Sequence, residues 1–322
     1  MTTSLKENPL AMFQETKTRV MRKLRVTLLD NCNFRCFYCM PKNPKFLPRN
    51  ELLTPVEIES ICLGLVDLGI DHLRITGGEP TLRKEFKEIL ERLSQLKIKK
   101  LSLTTNGFLL EKYLDFLWDI GCRNINVSMD SLSSEKFNKI THSKGFDKVY
   151  SEILKAKEMG FHLKINTLVF KGINDNELMD FINFSSQTGI EVRFLELMKI
   201  GQGCLNQTDH FISADEMIDK IKNTETLISE TVEKDSTSFN FRTGSGARIG
   251  FIASESRPFC ESCSRLRLTP KGILRACLMS EKGINLRGVA IEEYPSILKQ
   301  VIAMKPTYRL ENIEQNMYQI GG

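Results

Sequence analysis

No apolar run in the sequence approaches membrane-spanning length, and the first two dozen residues contain neither a hydrophobic leader segment nor a small-residue cleavage site. These absences exclude a bilayer-spanning helix and make a cytoplasmic protein with no membrane partner the expectation. Low-complexity tracts and tandem repeats are missing too, which excludes a repeat architecture. A strong charge imbalance is also lacking: 45 Lys and Arg against 40 Asp and Glu leave +5, too little for the overall field to argue for nucleic acid. Histidine is scarce, with four residues (72, 142, 162 and 210).

Cysteine, by contrast, is plentiful. Nine cysteines without a secretion signal argue against a disulfide scaffold and for metal ligation or chemistry. Six of them form two tight groups. Cys32, Cys36 and Cys39 make C-x3-C-x2-C directly after the first expected strand. Closely spaced thiolates suit iron–sulfur chemistry, and three of them leave one iron of a cubane without a protein ligand, open to a small molecule. The alternative is zinc completed by a distant His or Cys, but no histidine lies near. Cys260, Cys263 and Cys277 make the second group, again without a fourth member unless Cys204 closes it as a structural site. Against closure, "SRLRL" follows Cys263 and places Arg265 and Arg267 on one side of a strand, as a site for an anionic ligand requires. Their simpler reading is a solvated strand edge.

At 322 residues, 41% hydrophobic and 26% charged, the chain is expected to form one large globular domain with a smaller addition. From about residue 24 to about 200, β-like runs alternate with helical patterns: "LRVTLLD", "HLRIT", "LSLTT", "NINVSMD", "LKINTLVF" and "EVRFLEL". Alternation of this kind predicts βα units and a parallel sheet. One helix is well marked, with Thr54 as N-cap, Pro55 at its first position, Glu57 in capping-box register, an apolar stripe of Ile58, Ile61, Cys62, Leu65 and Leu68, and Gly69 at its end. Cys62 on that stripe reads as a core thiol.

Within the strands, polar residues share one face. Arg25 and Thr27 oppose Val26 and Leu28; His72, Arg74 and Thr76 oppose Leu73 and Ile75; Lys164 and Asn166 oppose Leu163 and Ile165. A sheet covered by helices on both sides should be apolar on both, so a repeated polar face needs a wet lumen. About six units point to an open, partial (β/α)6 TIM-like barrel with room for large ligands. "EVRFLEL" fits less well, because Arg193 shares its parity with Leu195 and Leu197. An ordinary α/β sheet with solvent-facing strands is the alternative. The expected organisation is an N-terminal arm at 1–23, the partial barrel at 24–204, and a smaller α+β region at 205–322 carrying the second cysteine group. In that last region a helix is expected at 213–223 and a hairpin around "TGSG".

Taken in order, these motifs have a counterpart. C-x3-C-x2-C with Tyr38 before its last cysteine, and "TGGEP" at 76–80, resemble the radical S-adenosylmethionine superfamily. Across nearly the whole chain, "LRVTLLDNCNFRCFYCMP", "RITGGEPTLR", "LTTNG", "NVSMDSL", "KINTLVFKGIN", "VRFLELM", "FCESCSRLRLTPKG" and the terminal "GG" resemble the GTP 3′,8-cyclase family of molybdenum cofactor biosynthesis. The resemblance implies a [4Fe–4S] cluster on Cys32, Cys36 and Cys39, with Tyr38, Gly78, Ser128 and Met198 contacting S-adenosylmethionine. It implies a second [4Fe–4S] cluster on Cys260, Cys263 and Cys277 whose free iron meets guanine. Arg25, Arg74, Thr104, Lys164, Arg193, Arg265, Leu266 and Arg267 would line the GTP site, with Arg25 also a contributor to the closing reductive step. The implied reaction is removal of hydrogen from C3′ of GTP by a 5′-deoxyadenosyl radical, followed by attack of that carbon on C8. An electron donor, the next pathway enzyme (cyclic pyranopterin monophosphate synthase) as product acceptor, and a homodimer are implied as partners. Gly321 and Gly322 are expected to reach the active site.

Two competing readings weaken on the same residues. A radical S-adenosylmethionine peptide maturase gives no reason for Arg265, Arg267 and the Gly-Gly terminus. An iron–sulfur electron carrier ordinarily closes its clusters with four protein ligands.

Asn31 and His72 depart from the pattern, since basic residues are frequent at both positions in related enzymes. A histidine supplies charge only while protonated, so GTP affinity is expected to fall as pH rises. His72→Lys should flatten that dependence in binding titrations across pH 5.5 to 8; identical profiles for the two proteins would refute a phosphate role for His72.

Overall fold

The computed structural model describes residues 14–16 and 19–321; most of the expected N-terminal arm, and Gly322, lie outside the described residues. Strands β1 (Gln14–Thr16) and β2 (Arg19–Val20) form a small antiparallel pair. Six parallel strands follow in sequence order: β3 (Lys23–Thr27), β4 (His72–Thr76), β5 (Lys100–Thr105), β6 (Asn124–Ser128), β7 (His162–Leu168) and β8 (Glu191–Leu195). Helices connect them, as short right-handed crossovers between parallel strands require.

The C-terminal region does not stand apart from this sheet. It supplies β9 (Leu227–Glu230), β10 (Phe239–Thr243), β11 (Arg248–Ile252), β12 (Arg265–Leu268), β13 (Ile273–Arg275) and β14 (Gly283–Asn285). β12 adds parallel to β3 at one edge and β11 parallel to β8 at the other, giving a single twelve-stranded open sheet ordered 14-13-12-3-4-5-6-7-8-11-10-9. Both edges of the six-stranded unit are thereby covered, which removes the exposed ladder groups that invite unwanted pairing. The expected hairpin is the β10–β11 pair, closed at Arg242 and Arg248. The expected helix near 213–223 spans Ala214–Lys222, with Ser213 as its capping-box N-cap.

Strand alternation positions the site. Leu24, Val26, Leu73, Ile75, Leu103, Ile125, Val127, Ile165 and Val192 are fully buried beneath the helices. Their polar neighbours turn to the other side, where Arg25, Arg74, Ser102, Asn124, Asn126 and Lys164 line a common lumen. β8 obeys the same rule: Val192 and Phe194 enter the core while Glu191, Arg193 and Leu195 face inward. Arg193 and Leu195 share a parity because the lumen is polar at one level and apolar at the next. No described helix is long and apolar enough to cross a membrane.

The marked helix, α1, spans Pro55–Asp67 and carries both halves of its capping box, with Glu57 N–H donating to Thr54 Oγ1 at 3.2 Å and Thr54 N–H donating to Glu57 Oε2 at 2.7 Å. Ile58, Ile61, Cys62 and Leu65 are buried and Leu68 is half-buried. Gly64 on this helix lets Tyr294 pack directly on the backbone: a Cβ there would lie 2.7 Å from the Tyr294 ring. Alanine gains about 1 kcal/mol of helix propensity, but overpacking a core contact costs about 1–3 kcal/mol. Gly64→Ala is therefore expected to lower unfolding free energy by up to about 2 kcal/mol; a rise in the urea midpoint would contradict this packing.

Candidate active site

Cys32, Cys36 and Cys39 lie in the loop leaving β3, at the carboxyl ends of the strands, and line a cavity of about 230 Å³. A turn holds the loop, with Cys39 N–H and Met40 N–H both donating to Cys36 C=O at 3.0 and 3.1 Å. Burial pushes the Cys36 and Cys39 thiols well up and Cys32 to about 11, so each must lose a proton to bind metal. Among the described residues no three His, Cys, Asp or Glu side chains converge as ligands of one ion. Three sulfurs spread round a wall suit a cubane, in which each thiolate takes a different iron, better than a zinc ion. Two donors approach Cys32 Sγ, Phe34 N–H at 3.4 Å and Asn106 Nδ2 at 3.7 Å, as the outer shell of a metal-bound thiolate does.

Tyr38, Gly78, Ser128 and Met198 line this same cavity. Tyr38 OH donates to Asp130 Oδ2 at 2.8 Å, and Leu168 N–H donates to Asp130 Oδ1 at 2.9 Å, fixing the ring. Burial raises the Asp130 carboxyl to about 6. At Gly78 a Cβ would fall 2.4 Å from the carbonyl oxygens of Asp30 and Asn31, so only glycine lets the "GGEP" loop press against the cysteine loop. Gly78 N–H and Glu79 N–H complete that contact by donating to Leu29 C=O and Asn31 C=O, each at 2.8 Å. Glu79 is fully buried and accepts from Thr81 Oγ1 (2.6 Å), Asn106 N–H (2.7 Å), Thr105 Oγ1 (2.8 Å) and Thr81 N–H (3.1 Å).

Cys260, Cys263 and Cys277 line a second cavity of about 200 Å³, which does not include Cys204. Arg25, Arg74, Thr104, Arg193, Arg265 and Arg267 share its wall. Burial alone would raise Cys263, but Arg265, whose Nη2 donates to Sγ at 3.4 Å, and Lys305 together bring it down to about 6. A thiolate ready to ligate metal is the result. Lys305 Nζ also donates to the carbonyls of Arg265 and Ala276 at 2.6 Å each, tying together the two segments that carry the second cysteine group.

A third cavity, of about 300 Å³, occupies the amino-terminal ends of the strands and includes Arg25, Arg74, Lys164, Arg193 and Arg265. Burial, then repulsion from Arg267, Arg74 and Arg265, pushes Arg25 well below the ordinary guanidinium range. Burial also brings Arg74 and Arg267 down to about 10. Crowded, desolvated cations of this kind favour an anionic ligand. Leu266 is placed differently from the other expected contacts, because its side chain is fully buried in the apolar core on the far face of β12. Only its backbone can meet a nucleotide.

The three cavities share walls. Thr104, Asn166, Leu195, Met198 and Met317 border the first and second; Arg25, Arg74, Arg193 and Arg265 border the second and third. The chain terminus enters this path: Arg267 Nη1 donates to Gly321 C=O at 2.6 Å and Thr27 Oγ1 to Ile320 C=O at 3.2 Å. Gly321 has φ +78°, and a Cβ there would strike Thr27 Oγ1.

Carboxylates were the residues overlooked by motif reading. Glu191 sits between Lys164 and Arg193, 2.7 Å from each. Asp235 accepts from Arg22 and Lys23. Glu196 is 1% exposed and accepts from the backbone of Ala214 (2.8 Å), Glu255 (2.7 Å) and Ser256 (2.9 Å), joining β8 to the segment before the second cysteine group. "FLELM" carries a glutamate among apolar residues, a signal for a buried acceptor. Nothing local marks Asp235 or Lys305.

An open α/β barrel with three cysteines after its first strand defines a radical S-adenosylmethionine enzyme, and residues 26–185 match the Radical SAM superfamily. Solved structures of the same fold include Streptococcus suis SuiB bound to precursor peptide SuiA, with a TM-score of 0.65 at 14% identity over 89% of this chain and 68% of that one. Residues 190–312 match the Molybdenum Cofactor Synthesis C family. The chain is 43% identical to the GTP 3′,8-cyclase of Synechocystis sp., over 94% of this chain and 93% of the relative. It is 39% identical to the GTP 3′,8-cyclase of Aquifex aeolicus, over 90% and 91%. It belongs to the GTP 3′,8-cyclase family of molybdenum cofactor synthesis.

Deleting Gly321 and Gly322 removes the carbonyl that Arg267 holds. Turnover of the truncated protein is expected to fall at least ~100-fold, the scale of a misplaced active-site group, while iron content stays that of the parent. Full activity after truncation would show that the terminus is only packed against the site.

Proposed function

We propose that this chain converts GTP to (8S)-3′,8-cyclo-7,8-dihydroguanosine 5′-triphosphate, with its six clustered cysteines holding two [4Fe–4S] clusters. The carrying observation is one continuous path with an incomplete cysteine site at the carboxyl ends of the strands, a second beside Arg265 and Arg267, and a basic chamber beyond. When bound, the first cluster and S-adenosylmethionine supply the 5′-deoxyadenosyl radical that takes hydrogen from C3′, after which that carbon closes on C8.

The residues of the chain orient and enclose. Tyr38, Gly78, Ser128 and Met198 hold S-adenosylmethionine against the first cysteine group. Arg265 and Arg267 flank the guanine end beside Cys260, Cys263 and Cys277, with the Leu266 backbone between them. Thr104 meets the ribose level, and Arg25, Arg74, Lys164 and Arg193 take the phosphates, as guanidinium and ammonium groups do. Arg25, disfavoured as a cation by burial and by its neighbours, is the group assigned to the closing reduction, which must deliver one electron and one proton. Residues 24–204 carry the first cysteine group and 205–322 the second. Partners are an electron donor, a second copy in a homodimer, and cyclic pyranopterin monophosphate synthase as product acceptor, all in the cytoplasm.

The test is anaerobic. Protein reconstituted with iron and sulfide, reduced, and given S-adenosylmethionine and GTP is expected to yield 5′-deoxyadenosine and a cyclised nucleotide of unchanged mass, in equal amounts by mass spectrometry. Formation of 5′-deoxyadenosine with GTP returned unmodified would overturn the substrate.

A further inference from the structure

Most cations around the basic chamber already have carboxylate partners. Lys164 and Arg193 share Glu191, and Lys23 pairs with Asp235 at 2.8 Å. His72 bonds Asp71 through Nδ1, and the other oxygen of Asp71 takes Lys99 at 2.8 Å. Lys100 differs. It lines the chamber and is half-buried; its backbone N–H donates to Asp71 C=O at 3.2 Å, but its ammonium has no hydrogen bond or ion pair among the described residues, and Glu233, the acid that acts on it through space, is already paired with Arg22 at 2.9 Å.

The ladder explains its position. Arg265, Lys23, His72 and Lys100 are successive register partners across β12, β3, β4 and β5, so they form one row at the amino-terminal ends of the strands. Thr104, which borders both cysteine cavities, is four residues further along β5, or about 13 Å at strand rise. A nucleotide with its base beside Cys260, Cys263 and Cys277 and its ribose near Thr104 directs its outermost phosphate toward that row. A half-buried ammonium with no carboxylate in contact is unfavourable until an anion arrives. Its pKa is lowered by burial and then by Arg74, in the direction a bound phosphate would reverse.

We propose that Lys100 binds the terminal phosphate of the nucleoside triphosphate and makes the site read phosphate number. This rests on GTP being the substrate. Equilibrium binding of GTP and GMP to the anaerobically reconstituted holoenzyme tests both statements separately. In Lys100→Met the GTP Kd is expected to rise about ten-fold, as for loss of one charged hydrogen bond, while the GMP Kd stays within about two-fold. Lys100→Arg, which keeps the charge, should retain most of the GTP affinity. Equal weakening of GTP and GMP in Lys100→Met, or an unchanged GTP Kd, would overturn the assignment of Lys100. Failure of the unsubstituted protein to bind GTP would instead overturn the functional reading beneath it.

Discussion

Uncompensated positive charge on the inner face of a parallel sheet is the constraint around which this molecule is organised. Arg25, Arg74 and Arg267 are register neighbours on β3, β4 and β12, with Arg265 one turn of the pleat away. Side by side and desolvated, they repel one another and resist burial. The opposite face offsets this, where side chains such as Leu24, Leu73, Ile75 and Leu266 are fully buried and each contributes about 1.5–3 kcal/mol. A wet, basic lumen is therefore possible because a continuous apolar layer lies one pleat behind it.

Carboxylates tune that charge without removing it. Glu191 and Asp235 neutralise cations at the chamber's sides, whereas Arg25, Arg74 and Lys100 form no ion pair with a carboxylate among the described residues. An anion entering the chamber therefore meets paired and unpaired cations side by side, as Lys23 and Lys100 are in one register row. Glu196 works at the other end of the same sheet, fastening three backbone amides so that the second cysteine group approaches from a defined direction. Close backbone approach at Gly78 and Gly321 does the equivalent for the "GGEP" loop and the chain terminus, since a single methyl at either position would displace its neighbour.

Much of this was legible one strand at a time. Period-two alternation in "HLRIT" and "LKIN" named the inward face correctly, and C-x3-C-x2-C with "SRLRL" located both ends of the cavity. The capping box at Thr54 marked the start of α1. Leu266 shows the limit: a motif places a residue beside a ligand, but the pleat decides whether side chain or backbone reaches it.

Order along the chain was enough to set strand faces, helix starts and metal-ligand spacing, because each depends on residues within a few positions of one another. Pairing of Arg22 with Asp235 joins residues 213 apart, and that of Arg267 with Gly321 joins residues 54 apart. Extension of the sheet at both edges by β11 and β12, and which chamber cations gain an ion-pair partner, likewise depend on long-range closure. Such contacts form only when the whole sheet has assembled, and no local periodicity carries their signature.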